Sequence, residues 1–326
     1  MYGVNKIWKP EIFQGKYKKR NYFEGWYFKL INAHQDQVFG VIPGISYGST
    51  PQDAHAFIQV LDGIACQSHY FPYPSDAFKF SQNKFEVRIG QNAFSRDRMI
   101  LSLENKETKV EGELHFSNIV PFPSTLINPG IMGPFSFIPS MECYHGIVNI
   151  HHDTMGSLTV GDQKLNFDHG YGYIEKDWGQ SFPEAYIWLQ SNHFSREDVS
   201  IMFSIAKIPW LGKHFIGHIS FLRIGETFYR FATYTGAKLI SLVVTDQGIE
   251  VILQDKHHRL VITAISSKSS MLKAPQKGLM NREILESITA QVQVLLTDPK
   301  GTVIFQGEGV NTGLEMVGDL SILFLC

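Results

Sequence analysis

From Tyr22 onward the sequence is a succession of short runs rich in aromatic and β-branched residues, each bounded by Gly, Pro, Asn or Asp, with no long 3.6-residue periodicity between them. That spacing constrains the fold more than any other feature. It calls for many antiparallel strands, an all-β barrel or sandwich with few helices. The strongest run is Tyr22-Phe23-Glu24-Gly25-Trp26-Tyr27-Phe28-Lys29-Leu30. Period-two geometry puts Tyr22, Glu24, Trp26, Phe28 and Leu30 on one face. A carboxylate therefore stands in an apolar row, either paired with a Lys or Arg or kept for chemistry. Runs at Val38–Ile42, Ala56–Val60, His69–Pro72, Lys84–Ile89, Met99–Leu103 and Gly112–Phe116 lead to a Pro-rich passage, Pro121 to Pro139, which reads as an edge or crossing segment because proline cannot donate to a ladder. The strand pattern resumes at Met141–Ile150, forms a hairpin over Gly156–Phe167, and continues from Ala185 to Gln306. A chain of 326 residues is long for one core, and the expected division is a domain at 1–180 and a second at 181–326.

The net charge of −2 leaves no electrostatic footprint for nucleic acid. The short basic tract Lys16 to Arg20 reads as a solvated strand entry. Three scattered cysteines, Cys66, Cys143 and Cys326, suggest neither a disulfide framework nor a thiolate metal site. With no targeting pattern at the N-terminus and no apolar run of membrane-spanning length, the expected location is cytoplasmic. Aromatic residues make up 13% of the chain, 24 of them Phe, which suits strands and an apolar ligand cavity.

Ionisable groups crowd into Gly133–Pro183, where Glu142, His145, His151, His152, Asp153, Asp168, His169, Glu175 and Asp177 sit among rings and aliphatics. Groups in such surroundings are either solvated at strand ends or buried at a cost in desolvation. His151-His152-Asp153 invites a metal reading, but adjacent strand residues point to opposite faces and no HExxH helix is present, so no metal site is expected. No phosphate-binding or dinucleotide fingerprint precedes a helix, and no cofactor is expected.

The strings Gly133-Pro134 with Phe137-Ile138-Pro139, Met141-Glu142-Cys143-Tyr144-His145-Gly146, Gly172-Tyr173-Ile174-Glu175-Lys176-Asp177-Trp178-Gly179 and Ser181-Phe182-Pro183 together resemble the tocopherol cyclase family. Phe23 to Lys29, Ile208-Pro209-Trp210, Tyr229 to Tyr234, Glu286-Ser287, Gly313-Leu314-Glu315 and Gly318-Asp319-Leu320 agree with it, whereas residues 76–118 match nothing in it. The resemblance implies two lipocalin-like antiparallel β-barrel domains packed side by side, a build more distantly similar to carotenoid hydratases and cofactor-free pericyclases. It also implies closure of a prenylated hydroquinone to a chromanol.

Such closure adds a phenolic O–H across a trisubstituted alkene, and its hard step is protonating the alkene to a tertiary cation. A carboxylic acid held neutral among aromatics is suited to that step, which makes Glu24, Glu142 and Glu175 the acid candidates. Asp177 shares a strand face with Tyr173 and Glu175, and repulsion between the two carboxyls would hold one of them neutral. His145 is a candidate to take the phenolic proton. Trp26, Tyr144, Tyr173, Trp178, Tyr186 and Trp188 are candidates to face the cation, and Gln190 and Asn192 to orient the ring hydroxyls. Each of these residues also has a plain structural reading as core, cap or ion pair. The rival functions are a non-catalytic carrier of a prenyl-lipid, quinone or terpenoid, and a hydratase or pericyclase using the same crevice. In every case the partner is a hydrophobic small molecule, with peripheral membrane contact left open and no protein partner implied.

Overall fold

A computed structural model describes residues 6–324, beginning with an N-terminal arm that runs to Asn21; residues 1–5 and 325–326, Cys326 among them, lie outside the described residues. Among the described residues the chain is all-β, its strands forming a 12-stranded and an 11-stranded antiparallel sheet, one of which nearly closes into a barrel. Two units are distinguishable, residues 1–182 with 271–283, and residues 183–270 with 284–326. No helix among the described residues is long and apolar enough to cross a membrane.

Across the first sheet the order is Gln67–Pro74, His55–Asp62, Val38–Tyr47, Tyr22–Ile31, Gly170–Gly179, Cys143–Val160, Lys109–Pro121 and Arg98–Glu104, ending in three short strands, Asn92–Ser95, Glu86–Ile89 and Phe78–Phe80. All but one of these neighbours are close in sequence. The exception is the pairing of Tyr22–Ile31 with Gly170–Gly179, which sets Glu24 opposite Trp178, Trp26 opposite Lys176 and Tyr27 opposite Glu175. The two unusual strings of the sequence thus become adjacent strands. Alternation sends Trp26, Phe28, Leu30 and Ile174 into the core, with Phe39, Val41, Ile58, Phe94, Leu114 and Phe167.

The strand beginning at Val38 runs on through Pro43 to Tyr47, beyond the sequence-based end at Ile42. Proline has no N–H to give that ladder: pairing with the first strand lapses between Gly25–Gly44 and Phe28–Val41 and then resumes, while pairing with His55–Asp62 continues through Pro43. Residues 271–283 return to the first unit by hydrogen bonds. The Gln59 amide exchanges two with Lys273, both 2.9 Å; Ser46 and Ser68 donate to the carbonyls of Gly278 and Met271; and Lys277 N–H donates to Ser181 Oγ at 2.8 Å.

The second sheet runs Thr227–Ala232, Lys213–Ile224, Val199–Trp210, Tyr186–Ser191, Val303–Val317, Leu279–Thr297, Arg259–Ile265, Gly248–Gln254 and Lys238–Thr245. Ile187, Leu189, Phe203, Leu222, Val251, Ile262, Val292 and Leu314 form its core.

In each unit a buried histidine resists protonation. Burial, helped by His151, pushes His152 down to about 3, with its ring 4.3 Å from that of Phe116. Burial likewise lowers His218 to about 4. Both folded values lie below the unfolded value of about 6.5, so below that pH the unfolded chain takes up protons that the native state refuses. Stability is expected to be level above pH ~6.5 and to fall as pH drops, each histidine removing ~1.4 kcal/mol per pH unit until its folded value is reached. At pH 4.5 that amounts to about 2.7 kcal/mol from each. Denaturant titrations at pH 7, 5.5 and 4.5 measure it, and equal midpoints at all three would contradict the assignment.

Candidate functional site

The two faces of the paired strands Tyr22–Ile31 and Gly170–Gly179 carry different chemistry. On the core face Glu24 and Lys176, both 0% exposed, form an ion pair. The ammonium also donates to the carbonyls of Pro10 and Ile12, each at 2.7 Å, and lies 4.8 Å from the ring centres of both Trp26 and Trp178. The carboxylate accepts from Tyr22 OH, from Gln14 N–H at 2.7 Å and from Gly15 N–H at 2.9 Å. Burial lowers the Lys176 ammonium, and Glu24 opposes that by attraction. Every polar group in this cluster is engaged in holding the N-terminal arm against the sheet. Trp26 Nε1 adds a bond to the Glu11 carbonyl at 2.9 Å. Glu24 therefore takes the structural of the two roles open to it in sequence, and Trp26 belongs to the core.

On the opposite face stand Tyr173, Glu175 and Asp177, and from the neighbouring strand Cys143–Val160 the register sets His145 directly beside Asp177. His145 Nδ1 lies 2.9 Å from Asp177 Oδ1, and its Nε2 lies 3.4 Å from Glu175 Oε2. Tyr173 OH donates to that same Glu175 oxygen at 2.6 Å. The phenol keeps its proton because burial, then the Glu175 charge and hydrogen bond, then Asp177, push it well above the usual tyrosine range. The two carboxyls expected to repel each other thus stand on either side of an imidazole that contacts both. The ligand atoms of His145, Glu175 and Asp177 lie within 4.8 Å of one another, close enough for a divalent cation as well. In the sequence-based metal candidate, by contrast, His151 contacts Asp153 at 3.2 Å and lies tilted against the Tyr171 ring, while His152 points into the core.

His145 also lines a pocket of about 590 Å³, and all of the pocket's lining residues belong to the first unit. One wall is the Pro-rich passage, contributing Phe137, Ile138, Pro139 and Met141. A second is the Tyr144–Trp178 pair, stacked at 5.4 Å and 7°, with Tyr144 OH held by the Ile138 carbonyl at 2.7 Å. The third is the N-terminal arm, which supplies Lys6, Pro10, Lys18 and Arg20. Gly146 lets the arm close in: a Cβ there would stand 2.4 Å from Pro10 and 3.2 Å from Trp178. Lys6 donates to the carbonyls of Phe13 at 2.7 Å and Gln14 at 3.3 Å. Burial lowers it to about 8, against attraction from Glu24 and with the help of Lys176 and Lys16.

Of the residues singled out in sequence, the structure gathers Tyr173, Glu175, Asp177 and His145 into one cluster and places Tyr144, Trp178 and His145 on the pocket wall. Glu142 lies just ahead of the His145 strand, where its charge, after burial and Asp177, helps to raise the Cys143 thiol. Tyr186, Trp188, Gln190 and Asn192 belong to the second unit. There Tyr186 OH donates to Glu315 at 2.5 Å, Trp188 lies against Gly313, and Asn192 Oδ1 is 2.9 Å from His193 Nδ1. Sequence reasoning missed Lys176 and the arm cations Lys6, Lys18 and Arg20. Lys176 was in view inside its motif string, but nothing local gives its partner.

A family model described as tocopherol cyclase-like matches residues 101–318. Solved structures with this architecture include CghA with Sch210972, at TM-score 0.55 and 10% identity, covering 91% of this chain and 89% of that one. A second structure of CghA gives TM-score 0.50 at 10% identity with the same coverage. Kievitone hydratase from Nectria haematococca gives 0.51 at 11% identity, covering 97% of this chain and 95% of that one. At such identities the likeness establishes the lipocalin-like β-barrel fold. Comparison by sequence with curated proteins gave no match.

Proposed function

We propose, from the premise that this chain belongs to the tocopherol cyclase-like family, that it is an isomerase closing a prenylated phenol by acid-triggered, redox-neutral addition of O–H across an alkene. The observation that carries this reading is His145, which lines the pocket and at the same time bridges Glu175 and Asp177. The proton shared by His145 and Glu175 passes to the less substituted alkene carbon and leaves a tertiary cation. The phenolic oxygen bonds to that cation, and its proton returns to His145, so the cluster ends as it began. Asp177 fixes the imidazole through Nδ1, and Tyr173 orients the Glu175 carboxyl. Tyr144 and Trp178 offer ring faces on the pocket wall to which a cation is attracted.

The test is incubation with a prenylated hydroquinone in D₂O. The expected product is the chromanol, carrying one deuterium at the carbon beside the new C–O bond. A tertiary alcohol in its place would make the protein a hydratase, and tight binding without turnover would make it a carrier; either result overturns the reading. Turnover is also expected to survive chelation by EDTA, because a cation held by His145, Glu175 and Asp177 would occupy the atoms that move the proton.

A prenyl-lipid must reach the pocket from a membrane or micelle. The loop leading into the pocket wall exposes Leu126 by 82% and Ile127 by 73%. Paired apolar residues at a loop tip suit shallow contact with lipid. Leu126→Asp with Ile127→Asp is expected to weaken sedimentation with phosphatidylcholine vesicles several-fold, and unchanged sedimentation would exclude this loop as the contact.

A further inference from the structure

We infer that the pocket beside His145 is built to bind an aromatic ligand bearing a carboxylate more tightly than its neutral counterpart. Among the described residues its lining includes Lys6, Lys18, Arg20 and His145 and not one Asp or Glu, in a chain whose net charge is −2. The three cations come from one short stretch of the arm, which the Glu24–Lys176 pair fastens over the pocket through Pro10, Ile12, Gln14 and Gly15. Across from them stand the flat Tyr144–Trp178 stack and the apolar Phe137–Met141 wall. Cations on one side and rings on the other match an organic anion with a planar conjugated body. Inorganic phosphate could use only the first of these.

The chemistry of the proposed reaction points the same way, and that part rests on the cyclisation reading. A carbocation formed among Lys6, Lys18 and Arg20 would meet like charge from the arm and no countercharge from the lining. A carboxylate on the substrate supplies the missing negative charge where the cation develops. The substrate class is then a prenylated aromatic acid.

Calorimetric titration of the intact protein with 2-naphthoate, 2-naphthamide and inorganic phosphate tests the assignment without any turnover. The expected results are at least ten-fold tighter binding of the naphthoate than of its neutral isostere, weakening of that preference between 50 and 300 mM salt, and no displacement by equimolar phosphate. Lys18→Met with Arg20→Met, at exposed positions that threaten no core, is expected to remove at least five-fold of the preference, and Lys6→Met to remove a further part. Equal binding of the two naphthalenes, binding of neither, displacement by phosphate, or an undiminished preference in the Lys18/Arg20 variant would each overturn it. Glu175→Gln separates this inference from the function proposed above: Glu175 does not line the pocket, so the variant should lose turnover and keep the naphthoate preference. A preference in a protein that never forms chromanol would leave the binding assignment standing and end the cyclase reading.

Discussion

Lys176→Met is expected to destabilise the first unit by about 3–5 kcal/mol, the usual consequence of removing one member of a buried ion pair. The Glu24 carboxylate would remain at 0% exposure with Tyr22 OH and two backbone N–H groups, but without the ion-pair contact that Lys176 supplies. The arm would lose the bonds from Lys176 to Pro10 and Ile12 in the same step. Denaturant unfolding gives the loss, and limited proteolysis of residues 6–20 reports whether the arm has come away. A companion double variant, Glu24→Leu with Lys176→Met, should recover much of the stability, since replacing both charges by apolar groups removes the desolvation penalty. It should not recover the protease resistance of the arm, which needs the lysine. A loss below ~1 kcal/mol in the single variant would mean that the pair is solvated and the anchoring account is wrong.

Glu175→Gln and His145→Ala are each expected to lower turnover of a prenylated phenol by 10²–10⁴-fold, the range for a positioned proton-transfer group. Because the proposed mechanism uses the two as one proton-transfer unit, combining them should cost little more than either alone. Asp177→Asn is expected to be milder, since an amide still accepts from His145 Nδ1–H while withdrawing the charge that favours the imidazolium. Rates on folded variants, checked by far-UV dichroism, decide the matter. Glu175→Gln retaining more than a tenth of wild-type turnover would remove the carboxyl from the mechanism.

The face of Glu24 could be read from alternation alone, because a period of two fixes which neighbours a strand residue keeps. Its partner could not. Lys176 meets it only because Tyr22–Ile31 and Gly170–Gly179 are adjacent in the sheet, a pairing set by closure over the whole first unit and not by any local signal. The same long-range register decides that His145 lies between Glu175 and Asp177, where sequence alone showed two carboxyls in repulsion. Lys16 to Arg20 was legible as a basic tract, and Lys18 and Arg20 are exposed as a strand entry should be. Their place on the pocket wall depends on how the arm folds back, which Pro10 and Gly146 settle at close range. At Pro43 the local rule gave way because the strand stays paired on its other side, and at residues 76–118 short strands with clear alternation, such as Glu86–Ile89, were visible without any motif to interpret.

The return of residues 271–283 to the first unit bears on how the protein is made. During synthesis Gln59 waits for Lys273, Ser46 for Gly278, and Ser181 for Lys277, and all three late residues follow most of the second unit in translation order. A nascent chain stalled at residue 182 has every strand of the first sheet but lacks the strip that satisfies these side chains. The first unit is therefore completed only well after its own strands have been made, and a chain ended at the apparent boundary should yield a product that leans on chaperones.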